Sequence, residues 1–463
     1  MAVAVDPDGL DPHMSASAST FQVTSSIYET LVSVDESGNI IPSLAEDWQI
    51  SPDGLTLTFD IRDDAVFSNG NICDAAAAAA SFNRLIGPES YRSGDYSEIE
   101  SVRALDEDTL EIKFSSLNTS ALSLFAYPWS AVVDVSSADS LRTAPVGSGP
   151  FMLESWIPQQ KLTLVRNPHY SGGNRIERVE FIFMPDMTSQ VTALQGGSVD
   201  IIQITGDLVG QFENNDAYRI LALPVNGIQL MAMNTASDGL DDIRVRQAVN
   251  YAVDKESLID AVWYGYGEEI GSHFPVVLSE YKDENGRDPY DPDKARQLLI
   301  EAGYEDGLTL DMYLPKNYQE YVNAGLVIAN QLEAAGINVN VSIVEWATWL
   351  SDIYTGRNYD LTVVGHTGRL DAYSLLSRYR STAAENYFNY DNPEFDSLLD
   401  EYTACVDEEE RKEIAFRMQD ILSEDVPALY IQDPIQIYVT RGDLTGFTIF
   451  PINIFKFNEV QFI

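Results

Sequence analysis

The sequence is poor in the residues that build metal centres and disulfide frameworks. Its 463 residues include two cysteines and four histidines. Cys73 and Cys405 lie far apart and in no Cys-x-x-Cys pattern, so we expect two free thiols. The histidines form no i, i+4 pair and no His-Glu-x-x-His pattern; they are His13, His169, His273 and His366. We therefore expect no metal site and no cofactor.

Basic residues and long apolar runs are also scarce. The chain has 28 Lys and Arg against 72 Asp and Glu, a net charge of −44. This charge repels phosphate backbones and anionic head groups, which argues against nucleic acid or a membrane surface as partners. No apolar run reaches the roughly 18 residues of a membrane span. The acid surplus fits a surface hydrated in salt, in a high-salt habitat or in an acidic extracytoplasmic protein from an ordinary organism.

Motifs of common catalytic sites are missing as well. The glycine-rich segments 147–149 and 265–267 lack the lysine of a phosphate loop and the third glycine of a dinucleotide fingerprint. No Gly-x-Ser-x-Gly elbow occurs, and acidic residues are too numerous to single out a catalytic pair. We therefore predict no catalytic residues, and a hydrolase is the least favoured function.

The patterns that are present predict an α/β protein of two to four domains. Alternation predicts strands around residues 55–61, 110–114 and 179–183, and Asp74 before six alanines predicts a capped helix. The pattern becomes helical near Asn234. There Asp241 or Asp242 can cap one helix, and Asp291 with Pro292 can open another that ends at Gly303.

A β-α-β-α-β run predicts the position of a ligand site. Strands are expected at 308–314, 337–343 and 359–365, with helices at 318–335 and 346–354 between them. Such a run implies parallel strands, and ligands of open α/β sheets bind beyond their carboxyl ends. The segment leaving the third strand contains the candidates His366, Thr367, Gly368, Arg369 and Asp371.

Several segments together resemble the family 5 extracellular solute-binding proteins of ABC importers. The resemblance runs nearly end to end and rests on about ten short motifs in the right order, none of them specific alone. Among them are GLDPH at 9–13, IYETL at 27–31, PSLAEDW at 42–48, VGSGPF at 146–151 and VRQAVNYAVD at 245–254. The chain departs from the family pattern after 67–70, where Ile72, Cys73 and Asp74 precede the alanines.

The resemblance implies a two-lobed fold like that of the periplasmic binding proteins (type II, cluster C), with an additional inserted subdomain. On this chain the first lobe is expected to be discontinuous, comprising 1–45, 175–233 and 432–463. The inserted subdomain is expected at 46–174 and the second lobe at 234–431. A ligand would be captured as the two lobes close.

The resemblance also suggests roles for the loop residues. The resemblance implies that, as in peptide-binding members, an aspartate after the third strand holds the ligand's amino terminus. Asp371 is the nearest match to this aspartate, and Arg369 stands about where some relatives have the aspartate. Arg369 could bind a carboxylate while Asp371 binds an ammonium, which suits a zwitterion. The alternative is that both satisfy local partners, and His366 is somewhat better explained as a structural histidine.

Five further positions are candidates for the site. Trp346 and Trp349 could wall a cleft, although tryptophans at this spacing are more often core residues. Ser26 and Tyr28, expected on an early helix of the first lobe, resemble cleft-facing positions, but Tyr28 could equally be buried packing. Trp129 lies in the segment where nickel-complex binders carry a cleft-facing arginine, and the absence of an arginine there, with Ala131 and Val132 nearby, argues against a nickel chelate.

The predicted function is therefore that of an ABC importer's substrate-binding protein. The expected ligand is a dipeptide or oligopeptide; the alternatives are a metal chelate such as a nickel complex, or an oligosaccharide. The expected partners are this ligand and the transmembrane subunits of the transporter, and we expect a monomer. The location is expected to be extracytoplasmic, in the periplasm or on the cell surface as a lipoprotein. Residues 1–5 are too short for a signal peptide, so we expect an export signal removed ahead of them.

Overall fold

The computed structural model describes residues 1–118, 120–452 and 454–463. Backbone contacts divide the chain into unit 1, Met1–Leu223 with Gln436–Ile463, and unit 2, Pro224–Ile435. The chain thus passes between the units twice. The sequence analysis placed these two crossings after residues 233 and 431. The inserted subdomain at 46–174 stays a prediction.

Unit 1 contains two four-stranded sheets. In order, the first consists of Ala2–Val3, Arg178–Phe183, Lys161–Arg166 and Phe151–Ile157, and the second of Ala45–Ile50, Thr56–Ile61, Thr109–Phe114 and Ile99–Ala104. All neighbours are antiparallel except Ala2–Val3 with Arg178–Phe183. Alternate residues of these strands are buried, including Leu57, Phe59 and Ile61, which confirms the predicted period of two.

The α-helices in the described part of unit 1 are Ala18–Thr24, Ala75–Leu85 and Met187–Gln195. The polyalanine helix begins as predicted: Asp74 is its N-cap and accepts a hydrogen bond from the amide of Ala77 at 2.8 Å. Its small side chains allow close packing on the second sheet, with Ala75 and Ala78 buried. The remaining described strands of unit 1 are Val32–Val34, Ile40–Pro42, Ile201–Ile204, Leu444–Thr445, Gln461–Phe462 and Tyr218–Pro224, the last residue of which belongs to unit 2.

Two glycines bring distant parts of unit 1 into backbone contact. The amide of Gly149 donates to the carbonyl of Ile27 at 2.9 Å, and that of Phe151 donates to the carbonyl of Ser26 at 3.0 Å. A Cβ on Gly147 would stand 2.2 Å from the Ile27 oxygen, and one on Gly149 2.7 Å from it. Only glycine permits this approach, because any side chain would overlap the carbonyl.

This pairing also corrects the prediction that Ser26 and Tyr28 lie on the early helix. That helix ends at Thr24, and both residues follow it. The reason is that the carbonyls of residues 26 and 27 accept hydrogen bonds from the 149–151 segment rather than from a further helical turn.

Unit 2 is built on one mixed sheet. Its strand order is Ala428–Arg441, Gly227–Met233, Leu361–Thr367, Leu308–Pro315 and Ile337–Val344, and Gly267–Glu269 also pairs with the first of these. Residues 436–441 of Ala428–Arg441 belong to unit 1. Leu308–Pro315 runs parallel to both Ile337–Val344 and Leu361–Thr367. The predicted parallel β-α-β-α-β run is therefore confirmed.

Helices cover both faces of this sheet, and alternate residues of Gly227–Met233 belong to two separate cores. Met231 and Met233 pack with one cluster, whereas Ile228 and Leu230 pack with the other. The helices are Ile243–Ala252, Lys255–Trp263, Pro292–Glu301, Gln319–Ala335, Trp346–Thr348, Trp349–Thr355, Ala372–Leu376, Pro393–Ala404 and Glu408–Asp425. None in the described ranges is long and apolar enough to cross a membrane.

Most helix ends of unit 2 follow the predicted chemistry. Asp242 and Asp291 are N-caps, Pro292 is the first helical residue after Asp291, and Gly336 ends its helix at a φ of +98°. The predicted helix 346–354 is wrong in detail, because a short α-helical turn continues as the π-helical segment Trp349–Thr355. An apolar pattern does not distinguish these two windings.

The third parallel strand is displaced from its prediction. It covers Leu361–Thr367 instead of 359–365. The antiparallel pairing with Gly227–Met233 continues to its end, with Ile228 opposite His366 and Gly227 opposite Thr367. His366 and Thr367 therefore belong to the strand and not to the loop after it.

Candidate ligand-binding site

His366 lies near the carboxyl end of the third parallel strand and is held by three side chains of unit 2. Its Nδ1 is 2.7 Å from Nη1 of Arg378 and 3.3 Å from Nε2 of His273, and its Nε2 is 3.0 Å from the hydroxyl of Tyr387. The imidazole is half-buried. Its orientation is therefore set from every side by polar partners.

These contacts define which nitrogen carries each proton. A guanidinium only donates, so Nδ1 of His366 is the acceptor, and its proton is on Nε2, facing Tyr387. Nε2 of His273 must then donate to the same Nδ1, which leaves Nδ1 of His273 to accept from the Tyr379 hydroxyl at 2.9 Å. Every ring nitrogen of the pair is thus engaged.

Both imidazoles are neutral in this arrangement. Loss of solvation lowers the pKa of His366 and of His273 well below the usual 6.5, and the positive charge of Arg378 lowers both further. The positive charge of this cluster consequently lies on Arg378 alone.

Arg378 has no anionic partner within the ranges that the structure describes. Nε donates to the carbonyl of Leu375 at 3.1 Å and Nη1 to His366, and no carboxylate lies within 4.0 Å of the guanidinium. The side chain is half-buried. A partly desolvated guanidinium without a counter-ion is a receptor for a carboxylate, which binds such a group through two parallel hydrogen bonds.

The segment after the strand is clamped to the Asn226 loop. A Cβ on Gly368 would stand 1.5 Å from the carbonyl oxygen of Asn226, so only glycine fits. Nδ2 of Asn226 donates to the carbonyl of Arg369 at 2.9 Å. This fixes the backbone of Arg369, whose side chain is half-buried, while Thr367 is exposed.

Asp371 has a defined structural role. It is buried and caps Ala372–Leu376, accepting from the amide and from the hydroxyl of Ser374, both at 2.8 Å. This is the local partner that the sequence left open as an alternative. Whether Asp371 also binds ligand stays a prediction.

Trp346 and Trp349 stack on each other with ring centroids 4.9 Å apart. Trp349 is a core residue: it is 2% exposed, and its Nε1 donates to Oγ1 of Thr362 at 2.9 Å. Trp346 is half-buried, and Trp349 also contacts Tyr387, the hydrogen-bond partner of His366. The aromatic wall, meaning Trp346, Trp349 and Tyr387, therefore runs from the outer tryptophan to the histidine.

The three candidates in unit 1 do not form one cluster. Ser26 is fully buried and its hydroxyl donates to the carbonyl of Phe455 at 2.8 Å, and the hydroxyl of buried Tyr28 donates to the carbonyl of Leu10 at 3.1 Å. Trp129 is half-buried, stacks on Tyr127 at 4.5 Å, and has the guanidinium of Arg92 4.4 Å from its ring centroid.

Sequence reasoning missed Arg378, His273 and Tyr387. Arg378 follows Asp371 by seven residues and lies in the 3-10 turn Ser377–Tyr379 just after the short helix Ala372–Leu376, so a search for charged residues in that segment would have found it. His273 and Tyr387 had no local signal, because tertiary packing alone brings them to His366. In the described ranges no group of three or more histidine, cysteine or acidic side chains is arranged to hold a metal ion.

Comparisons with known proteins agree with this architecture. A sequence profile of bacterial extracellular solute-binding proteins, family 5 middle, matches residues 39–387. The chain is 28% identical to heme-binding protein A of Haemophilus influenzae, over 91% of this chain and 84% of that protein. It is 24% identical to the dipeptide-binding protein of Escherichia coli, over 98% of this chain and 92% of that protein.

The fold is likewise that of known structures. The structure of HbpA2 from Haemophilus parasuis matches with a TM-score of 0.92 and 24% identity, covering 100% of this chain and 99% of that one. This likeness confirms the predicted α/β fold of the periplasmic-binding-protein type. Because the profile spans well over half of its length, the chain belongs to the family 5 bacterial extracellular solute-binding proteins, which bind solutes for ABC importers outside the cytoplasm and are not enzymes.

Proposed function

We propose that the solute is a short peptide whose carboxylate binds Arg378. The observation that carries this proposal is the half-buried guanidinium, which meets a neutral histidine and no carboxylate in the described ranges. Nη2 makes no hydrogen bond there and is available to a ligand. A hydrogen bond to a charged group contributes about 1.5–3 kcal/mol, or roughly a 10- to 150-fold gain in affinity.

The surroundings of Arg378 support a ligand that is apolar in part. The aromatic wall begins at Trp346, which stacks on a rigid core tryptophan and keeps part of its ring accessible. Aromatic faces of this kind bind apolar or aromatic side chains at little entropic cost. A peptide offers both a carboxylate and such side chains, and the dipeptide-binding relative lends this ligand class support.

The cluster favours a peptide over the two alternatives. A metal chelate would gain most from an imidazole lone pair, but Nδ1 of His366 already accepts from Arg378 and His273, and Nε2 carries the proton. A neutral oligosaccharide could stack on the aromatic wall but would leave the charge of Arg378 without a partner.

Peptides with and without a free carboxylate test this proposal. Native mass spectrometry of the purified protein first identifies any bound solute, and calorimetry then compares dipeptides and tripeptides with their C-terminal amides. We expect the free acids to bind at least tenfold more tightly than the amides. In R378Q this preference should disappear.

The matched control is R380Q. Arg380 is two residues away and pairs with Asp400 at 2.6 Å, so its loss removes the same charge without touching His366. R380Q should keep the preference for free acids. The proposal fails if no peptide binds the wild type, or if R378Q still discriminates acid from amide.

We further propose that the protein acts as a monomer and resides in the periplasm or on the cell surface. Family membership supports an extracytoplasmic site and a partnership with ABC permeases. Light scattering coupled to size-exclusion chromatography tests the monomer; a dimer mass at micromolar concentration would contradict it.

A further inference from the structure

Unit 1 contains a cavity of about 250 Å³, of whose lining only Tyr28 is a predicted ligand residue. A single water needs roughly 10–15 Å³, so this space is large enough for a small organic molecule. Hydroxyl groups dominate its polar lining, and we call it the hydroxyl-lined cavity; they come from Thr24, Ser25, Thr30, Ser33, Ser43 and Tyr170.

One of these hydroxyls is buried without a partner. Thr24 is 1% exposed, and its Oγ1 makes no hydrogen bond. The hydroxyl of Tyr170 also makes none with the described residues. Leaving a buried hydroxyl unpaired costs about 1–3 kcal/mol, so a guest that hydrogen-bonds to Thr24 would recover a real penalty.

The ammonium of Lys456, which forms no ion pair within 4.0 Å in the described residues, lines the same cavity. Nζ of Lys456 donates to two neutral oxygens, Oγ of Ser33 at 2.9 Å and the carbonyl of Val34 at 3.0 Å, and lies 4.5 Å from the ring centroid of Phe450. No carboxylate of the described residues is within 4.0 Å of it. An ammonium has three N–H groups, and the third makes no hydrogen bond with the described residues.

Burial disfavours the charged form of Lys456. Burial lowers its pKa from 10.5 to about 8, although the charge of Asp35 acts in the opposite direction. The other two charged residues of the lining, Glu29 and Arg62, pair with each other at 2.8 Å and are largely buried. The lining therefore has one more basic than acidic side chain, in a chain whose net charge is −44.

We propose that the hydroxyl-lined cavity is a second solute site, which binds a small hydroxylated carboxylate. The carboxylate pairs with Lys456, and the hydroxyl or a second polar group meets Thr24. Every described residue of its lining belongs to unit 1, whereas Arg378 belongs to unit 2.

Two probe acids that differ by one hydroxyl test this site. Lactate and propionate are titrated into the full chain, with binding followed by saturation-transfer NMR and calorimetry. We expect lactate to bind more tightly than propionate. T24V should abolish that difference, and K456M should weaken both acids at least tenfold.

The variants have clean controls. T24V removes a hydroxyl that no protein group uses, so it should fold normally and remains informative even if K456M does not fold. K161M removes an ammonium that pairs with Glu180 at 2.9 Å, and should leave binding unchanged, as should R378Q.

Three results would overturn the inference. The first is that neither acid binds the wild type, and the second is that lactate binding survives both T24V and K456M. The third is that sulfate binds as tightly as lactate, which would make the cavity an unspecific anion site. Loss of peptide binding in R378Q with lactate binding intact would support both sites separately.

Discussion

Nη1 of Arg378 donates a 2.7 Å hydrogen bond to Nδ1 of His366, so a permanent cation and a neutral imidazole share one contact. Because arginine cannot accept, this contact selects the Nε2-protonated form of His366. The histidine therefore orients the guanidinium without competing for an anion, and the charge offered to a ligand does not change with pH.

The first prediction concerns the protonation of His366. Its imidazole should stay neutral and protonated on Nε2 from pH 8 down to pH 5, because burial and Arg378 lower its pKa. Long-range ¹H–¹⁵N spectra of labelled protein report the form directly. In R378Q the pKa should rise towards 6.5, because the neighbouring charge is lost.

His13 is the internal control for this measurement. Its Nε2 lies 2.9 Å from the carbonyl oxygen of Ala131, and burial lowers its pKa to about 4. R378Q should leave its titration unchanged. A doubly protonated His366 in the wild type at pH 6 would contradict the arrangement described.

The second prediction separates the two roles of Asp371. Asparagine caps helices as well as aspartate does, so D371N should change the free energy of unfolding by less than about 0.5 kcal/mol, whereas D371A should cost about 1 kcal/mol. If Asp371 also binds an ammonium, D371N weakens binding of free peptides at least tenfold and of N-acetylated peptides hardly at all. Equal affinities of D371N and wild type for peptides would show that Asp371 caps the helix and does not bind the ligand.

The third prediction contrasts the stacked tryptophans. W349A should lower the free energy of unfolding by about 3–5 kcal/mol, because it empties a core site and leaves the hydroxyl of Thr362 without its indole partner. W346A should cost about 1 kcal/mol, since part of its ring is already exposed, and should weaken peptides with apolar side chains. Urea unfolding and calorimetry measure the two effects; equal losses of stability would refute this assignment.

The fourth prediction concerns Glu280 in unit 2. Burial raises its pKa from 4.5 to about 7, although Tyr402 donates to Oε1 at 2.8 Å. Between pH 4.5 and 7 the folded state holds more protons than the unfolded state, so this group removes stability as the pH rises. The free energy of unfolding of E280Q relative to wild type should therefore increase as the pH rises from 4.5 to 8. The upper bound of this increase is about 3 kcal/mol, and the increase should be smaller than that because the carboxyl is partly solvated.

Chemical denaturation at several pH values measures this gain. Comparing variant with wild type at each pH cancels the contribution of every other titrating group. The exposed Glu333 offers E333Q as the control for the loss of one carboxylate. If the difference in stability between E280Q and wild type does not change with pH, the raised pKa of Glu280 is contradicted.

Local chemistry explains what the sequence predicted well. Asp242, Asp291 and Gly336 act within one helical turn, so their neighbours in the chain suffice to identify helix ends. Alternation identified the parallel strands for the same reason. The end of Leu361–Thr367 was misplaced because the strand opposite, Gly227–Met233, decides how far pairing continues.

The site was harder to predict because its contacts are distant in sequence. His273 reaches His366 from 93 positions away, and no spacing rule connects them. The sequence singled out Arg369 because it stood in the expected loop. The structure draws attention instead to Arg378, which the loop position could not indicate.

The close contact of Gly147 and Gly149 with Ile27 has a bearing on what family resemblance can reveal. The motifs at 27–31 and 146–151 are two halves of one backbone junction, and a side chain at either glycine would force them apart. The junction is a constraint on how unit 1 of this chain is assembled. These two motifs therefore identify how unit 1 is assembled and do not specify a solute, and the proposed ligand residue Arg378 lies outside both of them.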